Sequence, residues 1–126
     1  MEYIATAQRI NDINERDFDK KKIVKRNNKL ASRLRAIASE IDSKHPEMKS
    51  NFYQLLFYEK ECVREWVAHH ILEVMNYDNE CRTMALKQIG YTATHDEGIS
   101  GFGNRLWLKE WFNEHPVDKD LLKFSD

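Results

Sequence analysis

Long apolar runs are missing from this 126-residue chain, and so are most of the residues that punctuate or staple a fold: it has four glycines, two prolines and two cysteines. No stretch approaches the roughly 20 apolar residues of a membrane span, so no membrane-embedded segment is expected. The two cysteines, Cys62 and Cys81, lie nineteen positions apart and neither has a CxxC partner. That spacing excludes a zinc ribbon and a thioredoxin-like motif as patterns. The N-terminus, MEYIATAQRINDINERD, lacks a basic segment followed by an apolar core. A secretory signal is therefore not expected, and the predicted setting is the cytoplasm, with both thiols reduced. With so few glycines and prolines, and no apolar/polar alternation bounded by turns, the chain reads as all-α.

Charge is abundant but sorted. Charged residues make up 33% of the chain and mean hydropathy is -0.73, values of a very polar-surfaced protein, yet the formal net charge is only -1. Residues 1–44 carry eleven Lys/Arg against seven Asp/Glu, and residues 45–126 carry nine against fourteen. Such a basic start and acidic remainder mark either a charged partner or solvated helix faces. A chain of this length can bury about two-thirds of its unfolded surface, enough for one core. The expected organisation is a single all-helical domain over 1–126: basic N-terminal helices over 1–44, a helical part over 46–113 and a short tail over 114–126.

Apolar spacing predicts six or seven helices. A first runs from about Glu2 to Asn14 with Ile4, Ala7 and Ile10 as a weak stripe. A second, capped by Asp17 or Asp19, reaches Ile41 and carries Ile23, Leu30, Leu34, Ile37 and Ile41 at near-helical intervals. Pro46 suits the first turn of a short third helix, because its missing N–H needs no partner there; Met48, Phe52, Leu55 and Leu56 form its buried side. Val63, Trp66, Val67, His70, Ile71 and Val74 give the next helix a broad apolar stripe that includes His70 but not His69. Asp78 is a candidate N-cap for a helix lined by Cys81, Met84, Ala85 and Ile89 and ended by Gly90, with YTATHDEG as the following loop. A helix from Ile99 to Phe112 offers Phe102, Leu106, Leu108, Trp111 and Phe112 to the core. Leu121, Leu122 and Phe124 allow a last short turn.

Chemistry-bearing residues do not form recognisable sites. His69 and His70 are neighbours, so on a helix their side chains diverge by about 100°, unlike the i, i+4 pair of HExxH. No metal and no cofactor is expected. A nucleophilic cysteine needs a base in reach, so a pocket joining a cysteine to His70 or His95 would point to an enzyme; none is expected from the spacing. The glycines of GISGFGN follow neither GxGxxG nor P-loop spacing and lack the Lys-Ser/Thr of a phosphate cradle. The basic run DKKKIVKRNNK, Asp19 to Lys29, scatters around a helix and has only Phe18 as a nearby aromatic. It leaves nucleic-acid association as the secondary expectation.

Three blocks nevertheless keep an order and a spacing: VREWVAHHIL from Val63, ALKQIG from Ala85, and FGNRLWLKEW from Phe102, with Gly98 between the last two. In these the sequence resembles a family of small bacterial HEAT-like helical domains of unknown function, over roughly Phe52 to Phe112. The resemblance implies stacked antiparallel helix pairs, with Arg64 tying neighbouring helices by donating to main-chain carbonyls or an acid, and with Trp66 and Trp111 as structural residues. Domains similar to these also occur among bacterial immunity proteins, including those of contact-dependent growth inhibition. On that footing the expected function is non-enzymatic: an immunity protein that covers the active or substrate-binding surface of a toxin domain, such as a nuclease. Its candidate contacts are Glu73, Asp78, Glu80, Asp96 and Glu97, with Tyr77, Tyr91 and Trp107 as aromatic anchors. The alternative is a nucleic-acid-associated or scaffold module working through the basic run.

Overall fold

Helix-forming residues with few breakers produce helices almost everywhere they are described. The computed structural model describes residues 2–11 and 20–123. Among these the chain forms seven α-helices, two short 3-10 segments and no strand. The helices are α1 (Glu2–Asn11), α2 (Lys20–Lys44), α3 (Lys49–Gln54), α4 (Glu61–Glu73), α5 (Asn79–His95), α6 (Ile99–Glu114) and α7 (Pro116–Lys123). The 3-10 segments, Pro46–Met48 and Leu55–Phe57, flank α3. The predicted continuation of the first helix to Asn14, the caps at Asp17 or Asp19, Phe18 and the tail residue Phe124 lie outside the described residues.

Side-chain contacts give the helices their directions. Arg33 on α2 forks onto the Glu2 carboxylate at 2.8 and 3.0 Å, and Arg26 donates to the Arg9 carbonyl at 2.7 Å, so α1 and α2 run antiparallel. Glu61 at the start of α4 accepts from Thr92 near the end of α5, and Arg64 meets Gln88, which makes α4 and α5 antiparallel as well. α6 then returns alongside α4 in the same direction: Asn104 meets Glu65 and His69, and Trp107 meets Glu73. Arg64 also donates to the main-chain carbonyls of Tyr58 and Glu59 at 2.8 and 3.2 Å. One guanidinium thus joins the approach to α4 to the face of α5, a use that needs its several donors in a fixed fork.

The buried core is drawn from α1 to α5. Tyr3, Ala7, Leu34, Ala38, Ile41, Phe52, Leu56, Val63, Val67, Ile71, Leu86 and Ile89 belong to one continuous cluster. Helices α6 and α7 add only half-buried residues to it, among them Trp107, Leu108, Trp111, Phe112, Leu121 and Leu122. They form an outer layer. Trp107, Trp111 and His115 stack along α6 with centroids 4.8 and 3.9 Å apart, and the Trp111 indole donates to the buried Asp118 carboxylate, which also holds Arg82. That charged pair pins α7 to α5 and α6.

Three expectations from spacing fail here. Gly90 does not end its helix; α5 runs five residues further, through all of YTATH, and the loop shrinks to Asp96–Gly98. One helical glycine costs only about 1 kcal/mol relative to alanine, which the burial of Thr92 and Ala93 beyond it offsets. Phe102 and Leu106 are exposed, and Gly101 and Asn104 are the buried positions of α6. The reason is the sharp turn before that helix. A Cβ on Gly101 would sit 1.7 Å from the Asp96 carbonyl oxygen, so only glycine lets α6 start this close to the end of α5, and the close approach turns Phe102 outward. Met48, expected on the buried side of its segment, is exposed; it lies in the 3-10 turn Pro46–Met48, which has no buried residue, and not in the α-helix that carries Phe52.

Candidate functional site

Helical spacing puts five side chains of α4 on one side: Cys62, Glu65, Trp66, His69 and Glu73. The facing side of α6 presents Ser100, Asn104 and Trp107, again one and two turns apart. Between these two faces, with Ile10 at one edge and Ile99 at another, lies a cavity of about 580 Å³. It is the size of a small-molecule site.

Asn104 organises the cavity wall. Its Nδ2 donates to the Ser100 carbonyl at 2.7 Å and to Glu65 Oε1 at 3.2 Å. That orientation leaves Oδ1 as an acceptor, 2.7 Å from His69 Nε2, so this ring nitrogen carries the proton and donates. His69 Nδ1 then lies 3.9 Å from Glu73 Oε2, whose partner oxygen accepts from the Trp107 indole at 3.3 Å. The Trp107 ring stands edge-to-face on His69 at 4.6 Å. A chain of contacts therefore runs Glu65, Asn104, His69, Glu73, Trp107.

Burial dominates the ionisation of this wall. It pushes the Glu65 carboxyl above its usual range, with the nearby Glu61 charge adding to the effect and the Asn104 amide opposing it. Burial also lowers the His69 imidazole, against the Asn104 hydrogen bond and the Glu73 charge. His69, expected off the apolar stripe, indeed avoids the core, but it is held in the α4–α6 interface and is not a solvated side chain. His70 faces the other way. It accepts a 2.6 Å hydrogen bond from the Tyr3 hydroxyl and is lowered to about 4 by burial, with the neighbouring His69 and Arg35 charges adding.

The cavity contains a cysteine and a histidine, though not the pairs singled out from the sequence. His70 is spent on Tyr3, and His95 stacks on Tyr91 outside the cavity. Cys62 and His69 sit two helical turns apart, about 10.5 Å of rise, whereas a nucleophile and its base need contact at ~3 Å. Cys81 lies elsewhere, with burial and the Asp78 carboxylate raising its thiol to about 11, the opposite of an activated thiolate. Among the described residues no three of His, Cys, Asp and Glu converge as a metal site.

The candidate contact residues fall in three places. Glu73 and Trp107 belong to the cavity. Tyr77, Asp78 and Glu80 gather at the α4–α5 turn, where the Tyr77 hydroxyl donates to the Lys49 carbonyl and Asp78 caps α5 by accepting from the Cys81 amide at 2.9 Å. Lys49 there pairs with Asp42 and also donates to the Asn76 carbonyl. Tyr91, Asp96 and Glu97 lie at the other end of α5, ~25 Å away along a 17-residue helix. Of the basic run, Lys25, Arg26 and Lys29 are exposed on α2.

Beside Asp96 and Glu97 is a surface that includes Phe102 and Leu106, two residues expected in the core from their spacing. Ile99, Phe102 and Leu106 are 91, 63 and 48% exposed, and at i, i+3 and i+7 they make one apolar stripe along α6. The Asp96 carboxylate accepts from the Gly98 amide at 2.7 Å, and Arg105 donates to the Ala93 and Asp96 carbonyls, so the stripe starts from a fastened turn. Asn104 and this stripe are what the spacing missed. A polar residue three positions after a glycine and three before a tryptophan was the available signal that α6 turns Gly101, Asn104 and Trp107 inward. No family model matches the chain, and no curated protein or solved structure matches it either.

Proposed function

We propose that this protein works by binding, as an immunity-type protein that captures a basic toxin domain, such as a nuclease, and covers its active or substrate-binding surface. The observation that carries this reading is the α6 stripe: three large apolar side chains at helical spacing, left in water next to Asp96 and Glu97. A rigid helix face of this kind loses little freedom on docking, and exposed contiguous apolar surface marks interaction sites. The acidic character of residues 45–126 complements the basic surface that a nucleic-acid-cutting enzyme presents to phosphate, and it speeds encounter with such a partner. The HEAT-like resemblance of the three sequence blocks supports the same class of function by analogy alone.

Co-expression with the C-terminal domains of large secreted proteins encoded alongside tests it. The expected result is rescue of growth and a stoichiometric complex, both lost in a Phe102→Ser, Leu106→Ser double variant that still folds. A wild-type chain that neither rescues nor co-purifies with any of them would overturn the reading. The exposed Lys25, Arg26 and Lys29 support the second reading, association with nucleic acid; binding to RNA or DNA that weakens steeply with salt, with no protein complex, would favour it.

A further inference from the structure

The α4–α6 cavity shares Ile99 with the apolar stripe but has a chemistry of its own. Its walls hold two carboxylates, Glu65 and Glu73, and two indoles, Trp66 and Trp107, and among the described residues no lysine or arginine lines it. Among the described residues neither carboxylate is paired with a lysine or arginine; Glu65 is met by the Asn104 amide and the Thr92 hydroxyl, and Glu73 accepts from an indole N–H at 3.3 Å, with His69 Nδ1 3.9 Å away. A carboxylate has about four acceptor positions, so these contacts leave acceptor capacity on Glu73. Glu65 is half-buried and Glu73 is exposed at the cavity rim, so it is the charge on Glu65 that burial makes costly, and a cation bound in the cavity relieves it. Indole faces attract the same kind of group, most strongly where water is excluded. Anions are disfavoured by both carboxylates, and a purely apolar guest would strip water from them without replacing its hydrogen bonds.

We infer that this cavity binds a guanidinium, amidinium or primary ammonium group carried on a short apolar body, with the cation on the wall that carries Glu65 and Glu73 and the body against Trp66 and Trp107. Two sources share that chemistry: an arginine or lysine side chain of a docked protein, and a free small organic cation. The inference does not depend on the toxin reading, because a small probe tests it without any protein partner.

Benzamidinium is titrated into the full chain and followed by the indole and side-chain amide signals of Trp107 and Asn104 in 1H-15N NMR spectra, with benzamide and benzoate as neutral and anionic controls. The expected result is saturable binding of benzamidinium at these signals, at least tenfold tighter than either control. Glu73→Gln, which keeps the shape and an acceptor, is expected to weaken it about tenfold, with an unchanged thermal midpoint showing that the variant folds. Glu65→Gln serves as the second variant. N-acetylarginine amide and agmatine then separate the sources: equal or tighter binding of the former assigns a protein side chain, and tighter binding of the latter a free cation. No saturable shift up to about 10 mM benzamidinium, equal binding of benzamide, or full affinity in both folded glutamine variants would overturn the inference.

Discussion

The hydroxyl of Tyr3 donates to Nδ1 of His70 across 2.6 Å, joining two residues 67 positions apart in a fully enclosed contact. The Tyr3 ring also meets Phe52 edge-on at 5.0 Å, so one side chain from α1 ties together α3 and α4. Because Nδ1 accepts, the proton of His70 sits on Nε2 and the ring is neutral. Burial holds the tyrosine hydroxyl well above its ordinary ionisation range, which keeps it a donor.

Tyr3→Phe tests what this contact contributes. The ring stays and Nδ1 loses its donor in a site that water does not reach, so the expected cost is about 1–3 kcal/mol. Urea unfolding of the two proteins at neutral pH measures it; an unchanged midpoint would mean that His70 finds another donor.

Acid should destabilise the fold through the same histidine. Its folded value, about 4, is below the ordinary 6.5, so the unfolded chain takes up a proton first as pH falls. The stabilisation is fully present above 6.5 and is lost progressively down to the folded value, a total of roughly 3 kcal/mol. His69, lowered in the same direction, adds to the slope, while the raised Glu65 opposes it at the acid end. Unfolding free energies at pH 7 and pH 5 are expected to differ by about 1–3 kcal/mol, and NMR should find His70 still neutral in the folded chain at pH 5.

Glycines of α5 and α6 should respond in opposite directions. Gly101→Ala forces a Cβ into the Asp96 carbonyl, and the cost should reach about 2–4 kcal/mol or drive the start of α6 away from the loop. Nothing stands within 4 Å of a Cβ built on Gly90 or Gly103, both inside helices without positive φ, so Gly90→Ala and Gly103→Ala should each stabilise by about 0.5–1 kcal/mol. Thermal melts of the three variants decide this.

Asp118→Ala removes the buried acceptor of both Arg82 (2.5 Å) and Trp111 (2.8 Å). With the arginine four-fifths buried and its charge left uncompensated, the loss should be about 2–4 kcal/mol. Hydrogen exchange should show α7 opening before α4 and α5; uniform protection across all helices would contradict its place in the outer layer.

The α6 stripe should be neutral for stability. Phe102→Ser and Leu106→Ser each remove apolar surface that already faces water, so unfolding free energies should change by less than about 0.5 kcal/mol. A loss above about 2 kcal/mol would place these side chains in the core after all.

Helix-level pattern was readable because it depends on near neighbours. The stripe of α4 named Val63, Val67, His70 and Ile71, all buried, and Asp78 was recognisable as a cap from its position before Asn79. The all-α class followed from a scarcity of breakers and a helical period that hold along the chain. What sequence could not carry was the rotation and approach of one helix against another. Phe102 and Leu106 read as core, because hydrophobicity alone does not say which side of an amphipathic segment a tight turn will bring inward. Only the close contact of Gly101 with the Asp96 carbonyl decided that Asn104 and Trp107 face α4. The cavity and the exposed stripe both follow from that single rotation, since turning a helix about its axis exchanges which residues meet water and which meet a neighbour.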